Sequence, residues 1–255
     1  MKRLKPFVAL LIILVACKSP EEPKEVRENY SDDLVNATLW YQTSDEMKAQ
    51  YRQAYHHAGE LLLKYHRELE TGVPSAVILD VDETVLDNSP YEARLIQNGE
   101  SYNPESWAQW VREAVAMPLP GALEFTLMAD SLDVDVFYIT NRDIRLLEPT
   151  LKNLKEKGFP VAEEGHLLLK EKTSNKTERR NKVKEHFNVL LLVGDQLTDF
   201  AEEIPFDSDT VRDHFIMLPN PMYGSFLDKA YQGDFSIPES EKAARRRAAL
   251  KTGTK

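Results

Sequence analysis

The sequence predicts an α/β fold in which a Rossmann-like parallel sheet carries helices on both faces. Short apolar runs end in polar residues or in a turn, as buried parallel strands do. Helical patterns, including 149–157 and 177–186, separate these runs, and such alternation is typical of a parallel sheet covered on both sides. The predicted strands are 75–80, 134–140, 189–195 and 215–219.

Two further helical patterns predict a small cap. Apolar and small residues recur at intervals of three and four over 45–69, which indicates a long amphipathic helix that ends at Gly72. A second helix is predicted over 104–116, between the first two strands, with Trp107 and Trp110 on one side. We therefore expect a cap formed by the N-terminal helix and by an insertion at about 90–120, after the first strand.

The first residues have the pattern of an export signal. Basic residues precede an apolar run over 7–16 that is too short to span a bilayer. The ending Leu14-Val15-Ala16-Cys17 resembles a lipobox, and Cys17 is the only cysteine of the chain. We expect lipid attachment at Cys17 and a place in the bacterial cell envelope, at the outer membrane. A simple secretory signal with an incidental cysteine is the alternative.

Composition divides the rest of the chain and restricts its partners. After the signal peptide of 1–17, the polar stretch 18–33 is expected to be a flexible linker. An N-terminal helical segment of the cap is expected over 34–74, a catalytic core over 75–237 and a charged helix or tail over 238–255. The net charge of −10 argues against a nucleic-acid polymer as partner.

Polar and acidic residues follow the predicted strands at the edge where ligands bind in such sheets. These residues are Asp80, Asp82, Thr140, Asn141, Asp195 and Asp199. Carboxylates brought together there repel one another, by about 4 kcal/mol for a pair at about 4 Å and an effective dielectric constant near 20. Oxygen ligands with room for water and a phosphate oxygen favour Mg²⁺. The segment after Asp80 does not match a calcium-binding EF-hand loop, because the glycine and the terminal glutamate of such a loop are absent.

The amino-acid sequences of these segments resemble the motifs of the haloacid dehalogenase superfamily. The resemblance rests on three segments, Asp80-Val81-Asp82-Glu83-Thr84-Val85-Leu86-Asp87-Asn88, Ile139-Thr140-Asn141-Arg142 and Gly194-Asp195-Gln196-Leu197-Thr198-Asp199-Phe200. Within it, the Thr-Asn-Arg form and the continuation Ser89-Pro90-Tyr91 are similar to the class C nonspecific acid phosphatases, the lipoprotein e family of outer-membrane 5′-nucleotidases. The likeness extends from Leu39 to about Tyr223.

The resemblance implies a role for each of these residues. Asp80 would be the nucleophile that forms an aspartyl-phosphate, and Asp82 the general acid and base. Thr140, Asn141 and a lysine would hold the phosphoryl oxygens; Lys170, Lys172 and Lys176 are candidates, and the family pattern favours Lys176. Mg²⁺ would be held by Asp80, by the backbone carbonyl of Asp82 and by Asp195. Asp199 would hold a metal-bound water.

The expected substrate is a small phosphomonoester, in particular a 5′-nucleotide. Trp107 and Tyr223 are candidates for stacking on a base, although aromatic residues at helical spacing are more often part of a core. Two other functions remain open: a noncatalytic surface lipoprotein that binds nucleotides or adhesin-like partners, and a phosphotransferase. A homodimer is also left open.

Overall fold

The structure is a computed structural model, and it describes residues 34–69, 72–160, 164–201 and 213–253. The predicted signal peptide, Cys17 and the linker 18–33 lie outside the described residues. Residues 202–212 of the predicted catalytic core also lie outside them. The domain boundaries therefore stay predictions.

Parallel strands form the centre of the fold. The strands are β1 (Ser75–Leu79), β2 (Leu86–Asp87), β3 (Met117–Pro118), β4 (Asp135–Asp143), β5 (Leu167–Lys170), β6 (Asn188–Gly194) and β7 (Phe215–Met217). Five of them form one sheet in the order β5-β4-β1-β6-β7, and every neighbouring pair is parallel. The predicted parallel sheet is confirmed. The sequence did not predict β5, a short edge strand whose buried and half-buried residues alternate.

Helices cover both faces of this sheet. They are α1 (Val35–Thr43), α2 (Asp45–Glu68), α3 (Ser89–Asn98), α4 (Pro104–Glu113), α5 (Ala122–Ser131), α6 (Leu147–Glu156), α7 (Thr177–Lys184), α8 (Ser225–Tyr231) and α9 (Glu239–Ala248). Alternate residues of β1 enter different cores: Val77 and Leu79 join the core that contains residues of α2, whereas Ala76 and Ile78 join the core on the side of α7. This is the pattern of a central strand buried on both sides.

Helix α2 supports the loop that follows β1. The helix starts where the Ser44 hydroxyl accepts a hydrogen bond from the Met47 N–H at 2.8 Å, which satisfies one of the free donors of the first turn. The buried Tyr51 donates its hydroxyl to the Glu83 carbonyl at 2.6 Å, and Tyr55 donates to the Thr84 carbonyl at 2.8 Å. The tyrosines of α2 thus fix the backbone of the segment that carries the acidic motif.

The insertion after β1 forms the cap. Strands β2 and β3 pair antiparallel at its base, and α3 and α4 lie between them in the chain. Helix α1 packs against α3, so the N-terminal region contributes to the cap, while α2 packs against α5 and the sheet. Helix α4 ends at Glu113, earlier than the predicted residue 116, because Ala114 adopts a left-handed conformation with φ of 54°.

The C-terminal helices α8 and α9 pack against each other, beyond the last strand of the sheet. Helix α9 carries Arg245, Arg246 and Arg247 in its last turn, where positive charge is favoured by the helix dipole. Within the described ranges, the structure contains no helix with the length and apolar character needed to cross a membrane.

Candidate active site

A cleft of about 640 Å³ opens at the carboxyl ends of β1, β4 and β6. Its floor contains the acidic residues that follow β1 and β6. Its walls come from the cap helices α3 and α4 and from the C-terminal region, including α8 and α9. Residues far apart in the sequence therefore meet in the crevice where ligands bind in open α/β sheets.

Asp80 and Lys176 form the centre of the floor. Asp80 directly follows β1, and its N–H donates to the Val193 carbonyl at 2.9 Å, which fixes its position beside β6. Lys176 precedes the first residue of α7. Its ammonium group donates to Asp80 Oδ1 and, at 2.6 Å, to Asp199 Oδ1. All three side chains are less than a tenth exposed, so two carboxylates share one buried ammonium group.

Asp195 and Asp199 lie on the turn that follows β6. Asp195 Oδ2 accepts hydrogen bonds from Gln196 Nε2 and from Asn220 Nδ2, each at 2.8 Å. Asp199 Oδ2 accepts the Gln196 N–H at 2.9 Å. A Cβ atom at Gly194 would lie 2.4 Å from Asp199 Oδ2. Glycine is therefore required where β6 ends, because any side chain there would displace Asp199.

Three buried carboxylates of the floor fit a divalent cation. One oxygen from each of Asp80, Asp195 and Asp199 lies within 4.8 Å of the others. Burial raises the pKa of Asp80 well above its usual value; Lys176 opposes this, and the neighbouring carboxylates add to it. Burial, reinforced by Asp199, likewise raises the pKa of Asp195 to about 7. Clustered, buried carboxylates ionise more readily when a positive charge lies among them. Hard divalent cations supply such a charge and prefer oxygen ligands of this kind.

Asp82 faces a different set of partners. Its Oδ1 accepts from Arg142 Nε and Asn88 Nδ2, each at 2.9 Å, and its Oδ2 accepts from the Thr140 hydroxyl at 3.2 Å. Trp110 of α4 donates to Asn88 Oδ1 at 2.8 Å and so links the network to the cap. The Asp82 side chain is thus outside the carboxylate trio. Its expected metal contact is through the backbone carbonyl, and this stays a prediction.

Thr140 and Asn141 end the regular part of β4 beside Asp82. Thr140 is fully buried, and its hydroxyl also accepts the Arg142 N–H at 3.1 Å. Asn141 is exposed to the cleft, and its Oδ1 accepts from Arg179 at 2.7 Å. Since a guanidinium group only donates, the Asn141 oxygen is occupied and its amide NH₂ is the group left to donate.

Sequence reasoning missed the arginines that hold this site together. Arg142 is 2% exposed and pairs with Asp82 at 2.8 Å. Arg179 donates to the Thr140 carbonyl, and Arg180 donates to the carbonyls of Thr198 and Asp199. A signal was present for Arg142, which belongs to the Thr-Asn-Arg segment of the family resemblance, whereas Arg179 and Arg180 lie outside the three segments.

Asn220 and Gln196 were also missed. Asn220 lies outside the motif segments, so no pattern marked it as a partner of Asp195. Gln196 lies inside the third segment, between Asp195 and Asp199, but an amide has no acidic character and was assigned no role.

Trp107 and Tyr223 both line the cleft and are half-buried. The Trp107 ring meets Tyr91 edge to face at a centroid distance of 5.1 Å, and the Arg142 guanidinium lies 5.7 Å from its centre. Both residues also pack against the core, as expected for aromatic residues at helical spacing. Their stacking on a base stays a prediction.

Comparisons with known proteins agree with this geometry. Residues 17–226 match the family model "HAD superfamily, subfamily IIIB (Acid phosphatase)". The class C acid phosphatase from Bacillus anthracis is similar in structure, with a TM-score of 0.80 and 36% identity over 88% of this chain and 99% of that one. A second structure of that enzyme, with tungstate bound, has a TM-score of 0.79 and 37% identity, with the same coverage.

Plant proteins are also related. Vegetative storage protein 1 of Arabidopsis thaliana is 29% identical over 76% of this chain and 68% of its own length. Acid phosphatase 1 of Solanum lycopersicum is 32% identical over 57% of each chain. The family match covers most of this chain and confirms the resemblance seen in the sequence. The chain belongs to subfamily IIIB of the haloacid dehalogenase superfamily, the acid phosphatases, and is a phosphomonoesterase whose trio of buried carboxylates fits a divalent cation.

Proposed function

We propose that the protein hydrolyses phosphomonoesters, 5′-nucleotides among them, through an aspartyl-phosphate on Asp80 with Mg²⁺ as the divalent cation. One observation carries the proposal. Asp80 stands at the carboxyl end of β1, on the floor of a cleft, beside a buried ammonium group and two further buried carboxylates. A nucleophilic carboxylate needs this position, because the phosphorus atom must reach it while the phosphate charge is balanced.

In the first half of the reaction, a carboxylate oxygen of Asp80 attacks phosphorus and the bond from phosphorus to the leaving oxygen breaks. Asp82 gives its proton to that oxygen, so the alcohol leaves neutral. In the second half, Asp82 takes a proton from water as the water attacks the aspartyl-phosphate, which returns free phosphate and Asp80. Asp82 is held for this role by Arg142, Asn88 and Thr140.

The phosphoryl oxygens would be bound by donors that lie beside Asp80, beside Asp82 or on the cleft surface. These are the Lys176 ammonium group, the Asn141 amide and the Thr140 hydroxyl, which turns away from Asp82 to donate to the phosphate. Such donors stabilise charge that spreads over the transferred group. A divalent cation held by Asp80, Asp195 and the Asp82 carbonyl, with Asp199 beside it, would neutralise the carboxylates and polarise the phosphoryl group. The tungstate of the Bacillus anthracis structure is a tetrahedral oxyanion, as phosphate is.

A substrate panel with and without chelator tests this function. We expect the soluble form that lacks residues 1–17 to hydrolyse p-nitrophenyl phosphate and nucleoside 5′-monophosphates, to lose this activity with chelator and to regain it with Mg²⁺. Activity that a chelator leaves intact would contradict the metal role. Product analysis with an added alcohol separates hydrolysis from phosphotransfer to an acceptor.

Preference for 5′-nucleotides is supported by the aromatic wall of the cleft. Trp107 and Tyr223 offer flat rings, and stacking on a base contributes about 1–3 kcal/mol. The expected result is a higher kcat/KM for nucleoside 5′-monophosphates than for glycerol 2-phosphate. Equal values for the two substrates would remove the preference from the proposal.

The lipid anchor at Cys17 is a separate part of the proposal. It rests on the basic start, the apolar run and the ending Leu14-Val15-Ala16-Cys17, and the plant origin of several relatives argues against a bacterial lipoprotein. The anchor can be tested by expressing the full chain in a bacterium. Detergent partition and mass analysis of the N-terminal peptide then show whether Cys17 carries a lipid. An anchored protein acquires acyl chains at Cys17 and loses them in Cys17→Ser.

A further inference from the structure

The cleft contains a carboxylate that the proposed chemistry does not use. Glu92 lies in the first turn of the cap helix α3 and lines the cleft with Leu95 and Ile96, which are three and four residues further along the same helix. It is half-buried beside these apolar side chains. Among the described residues, no hydrogen bond or ion pair to the Glu92 carboxyl is found.

The other acidic residues of the cleft differ from Glu92. Asp80, Asp82, Asp195 and Asp199 each accept hydrogen bonds from cationic or amide groups. Glu239 of α9 pairs with Lys242 at 2.7 Å, and Glu100 is exposed to solvent. Within the described part of the chain, Glu92 is therefore the cleft carboxylate that is partly removed from water without a compensating partner. Burying a charged group in this way costs free energy unless a ligand supplies the partner.

The cations of the cleft walls are engaged elsewhere. Lys242 pairs with Glu239, and Arg246 donates to the Tyr231 hydroxyl at 2.8 Å. On the cap side, the residues near Glu92 along the chain that line the cleft carry no positive charge; they are Leu95, Ile96, Glu100, Ser101, Tyr102 and Trp107. Aromatic rings attract cations through their negative faces. The cap wall is thus suited to a positively charged or hydrogen-bond-donating group and unsuited to an anion.

We infer that Glu92 is a specificity-determining residue, which accepts a hydrogen bond from a hydroxyl or, most strongly, an ammonium group on the leaving group and disfavours leaving groups that carry a second anion. This inference rests on the proposed function, because it takes the leaving group to lie along the cap wall while the phosphoryl group occupies the floor. Burial raises the pKa of Glu92 to about 7, as expected for a carboxyl without a partner.

Binding of phosphonates tests the inference without turnover, since their phosphorus–carbon bond is not hydrolysed by phosphatase chemistry. Calorimetry with excess Mg²⁺ would compare ω-aminoalkyl, alkyl and ω-carboxyalkyl phosphonates over chains of two to six methylenes. A series of lengths is used so that one chain spans the distance from the floor to Glu92. We expect the amino ligand of the best length to bind about tenfold more tightly than its alkyl match, as a charge-assisted hydrogen bond allows. The carboxyl ligand should bind most weakly.

Glu92→Gln should reduce the ratio of amino to alkyl affinity to about one, because a neutral amide loses most of a charge-assisted hydrogen bond. Glu124→Gln is the matched control, since Glu124 is an exposed glutamate in the first turn of α5 and does not line the cleft. The control should keep the ratio of the unaltered protein. An unchanged ratio in Glu92→Gln, or no preference for the amine at any length in the unaltered protein, would overturn the inference.

A second measurement uses the unaltered protein alone. The ratio of amino to alkyl affinity should rise as pH increases from 5.5 to 8, because Glu92 ionises over this range; a flat ratio would also overturn the inference. The ammonium group lowers the second pKa of the phosphonate in short amino ligands, so each affinity is first corrected for the measured dianion fraction of that ligand at each pH. Failure of the proposed function is recognised separately: selective binding without hydrolysis of p-nitrophenyl phosphate would contradict the catalytic proposal and leave the role of Glu92 standing.

Discussion

The floor and the walls of the cleft are built in different ways. On the floor, charged side chains are nearly excluded from water and bind one another: Lys176 donates to both Asp80 and Asp199, and Arg142 pairs with Asp82. The walls are half-exposed and carry aromatic and aliphatic side chains with scattered charges, such as Trp107 and Glu92. The floor is thus an electrostatic unit, whereas the walls are a surface for contact.

This difference separates chemistry from selectivity. A change on the floor removes a charge from a mutually dependent set, so its neighbours lose their partners, and both turnover and stability suffer. A change on the walls removes contact area for one class of leaving group and spares the reacting atoms. Arg142 joins the two regions, since its guanidinium group binds Asp82 and lies over the Trp107 ring.

The largest effect is expected from Asp80→Asn. An amide oxygen is a poor nucleophile, so kcat should fall by about 10⁴-fold or more. Hydrolysis of p-nitrophenyl phosphate measures the loss, and trapping of labelled phosphate on the unaltered protein, absent in the variant, identifies the intermediate. Asp130→Asn, at an exposed residue of α5, should keep full activity. Turnover that survives in Asp80→Asn would point to another nucleophile.

Lys176→Met should be the next most damaging change. It leaves the carboxylates of Asp80 and Asp199 facing each other without their shared cation. Breaking such a buried pair lowers the free energy of unfolding by about 3–5 kcal/mol. Chemical denaturation and kcat measure the two losses, with Lys172→Met, at an exposed lysine of the same segment, as the control. The reverse outcome, with Lys172 essential and Lys176 dispensable, would return the phosphate-binding role to another lysine.

The affinity of the floor for a divalent cation should depend on pH. Burial raises the pKa of Asp195 to about 7, so its carboxyl holds a proton below that pH and cannot bind a cation. Affinity should therefore fall by about tenfold for each pH unit below 7. Without metal, the free energy of unfolding should fall as pH rises towards 7, because Asp195 ionises at a lower pH in the unfolded chain than in the fold. Added Mg²⁺ should consequently raise Tm more at pH 8 than at pH 5; a shift that is equal at both would exclude Asp195 as a ligand.

The sequence was sufficient for four of the five strands of the sheet and for the acidic residues and the lysine on the floor. Apolar runs that end in Asp80 and Asp195 identify strands that open on a site, because buried parallel strands leave few other places for acidic residues. The short edge strand β5 has no comparable pattern. The hydrogen bonds of Asn220 and Arg180 could not be predicted from the sequence either, because they depend on how separate segments pack around Asp195 and Asp199. No sequence pattern marked Glu92 as a site residue, because its partial burial depends on the packing of the cap against the core.

Trp107→Leu should have the smallest effect, confined to the leaving group. Loss of stacking should reduce kcat/KM for nucleoside 5′-monophosphates by about tenfold, within the range of 1–3 kcal/mol for one base. Glycerol 2-phosphate has no ring to stack, so its hydrolysis should be largely retained. Trp40→Leu is the matched control, because Trp40 of α1 is half-buried against the core and does not line the cleft. Equal losses for both substrates would show that Trp107 acts through Arg142 on the floor and not through contact with a base.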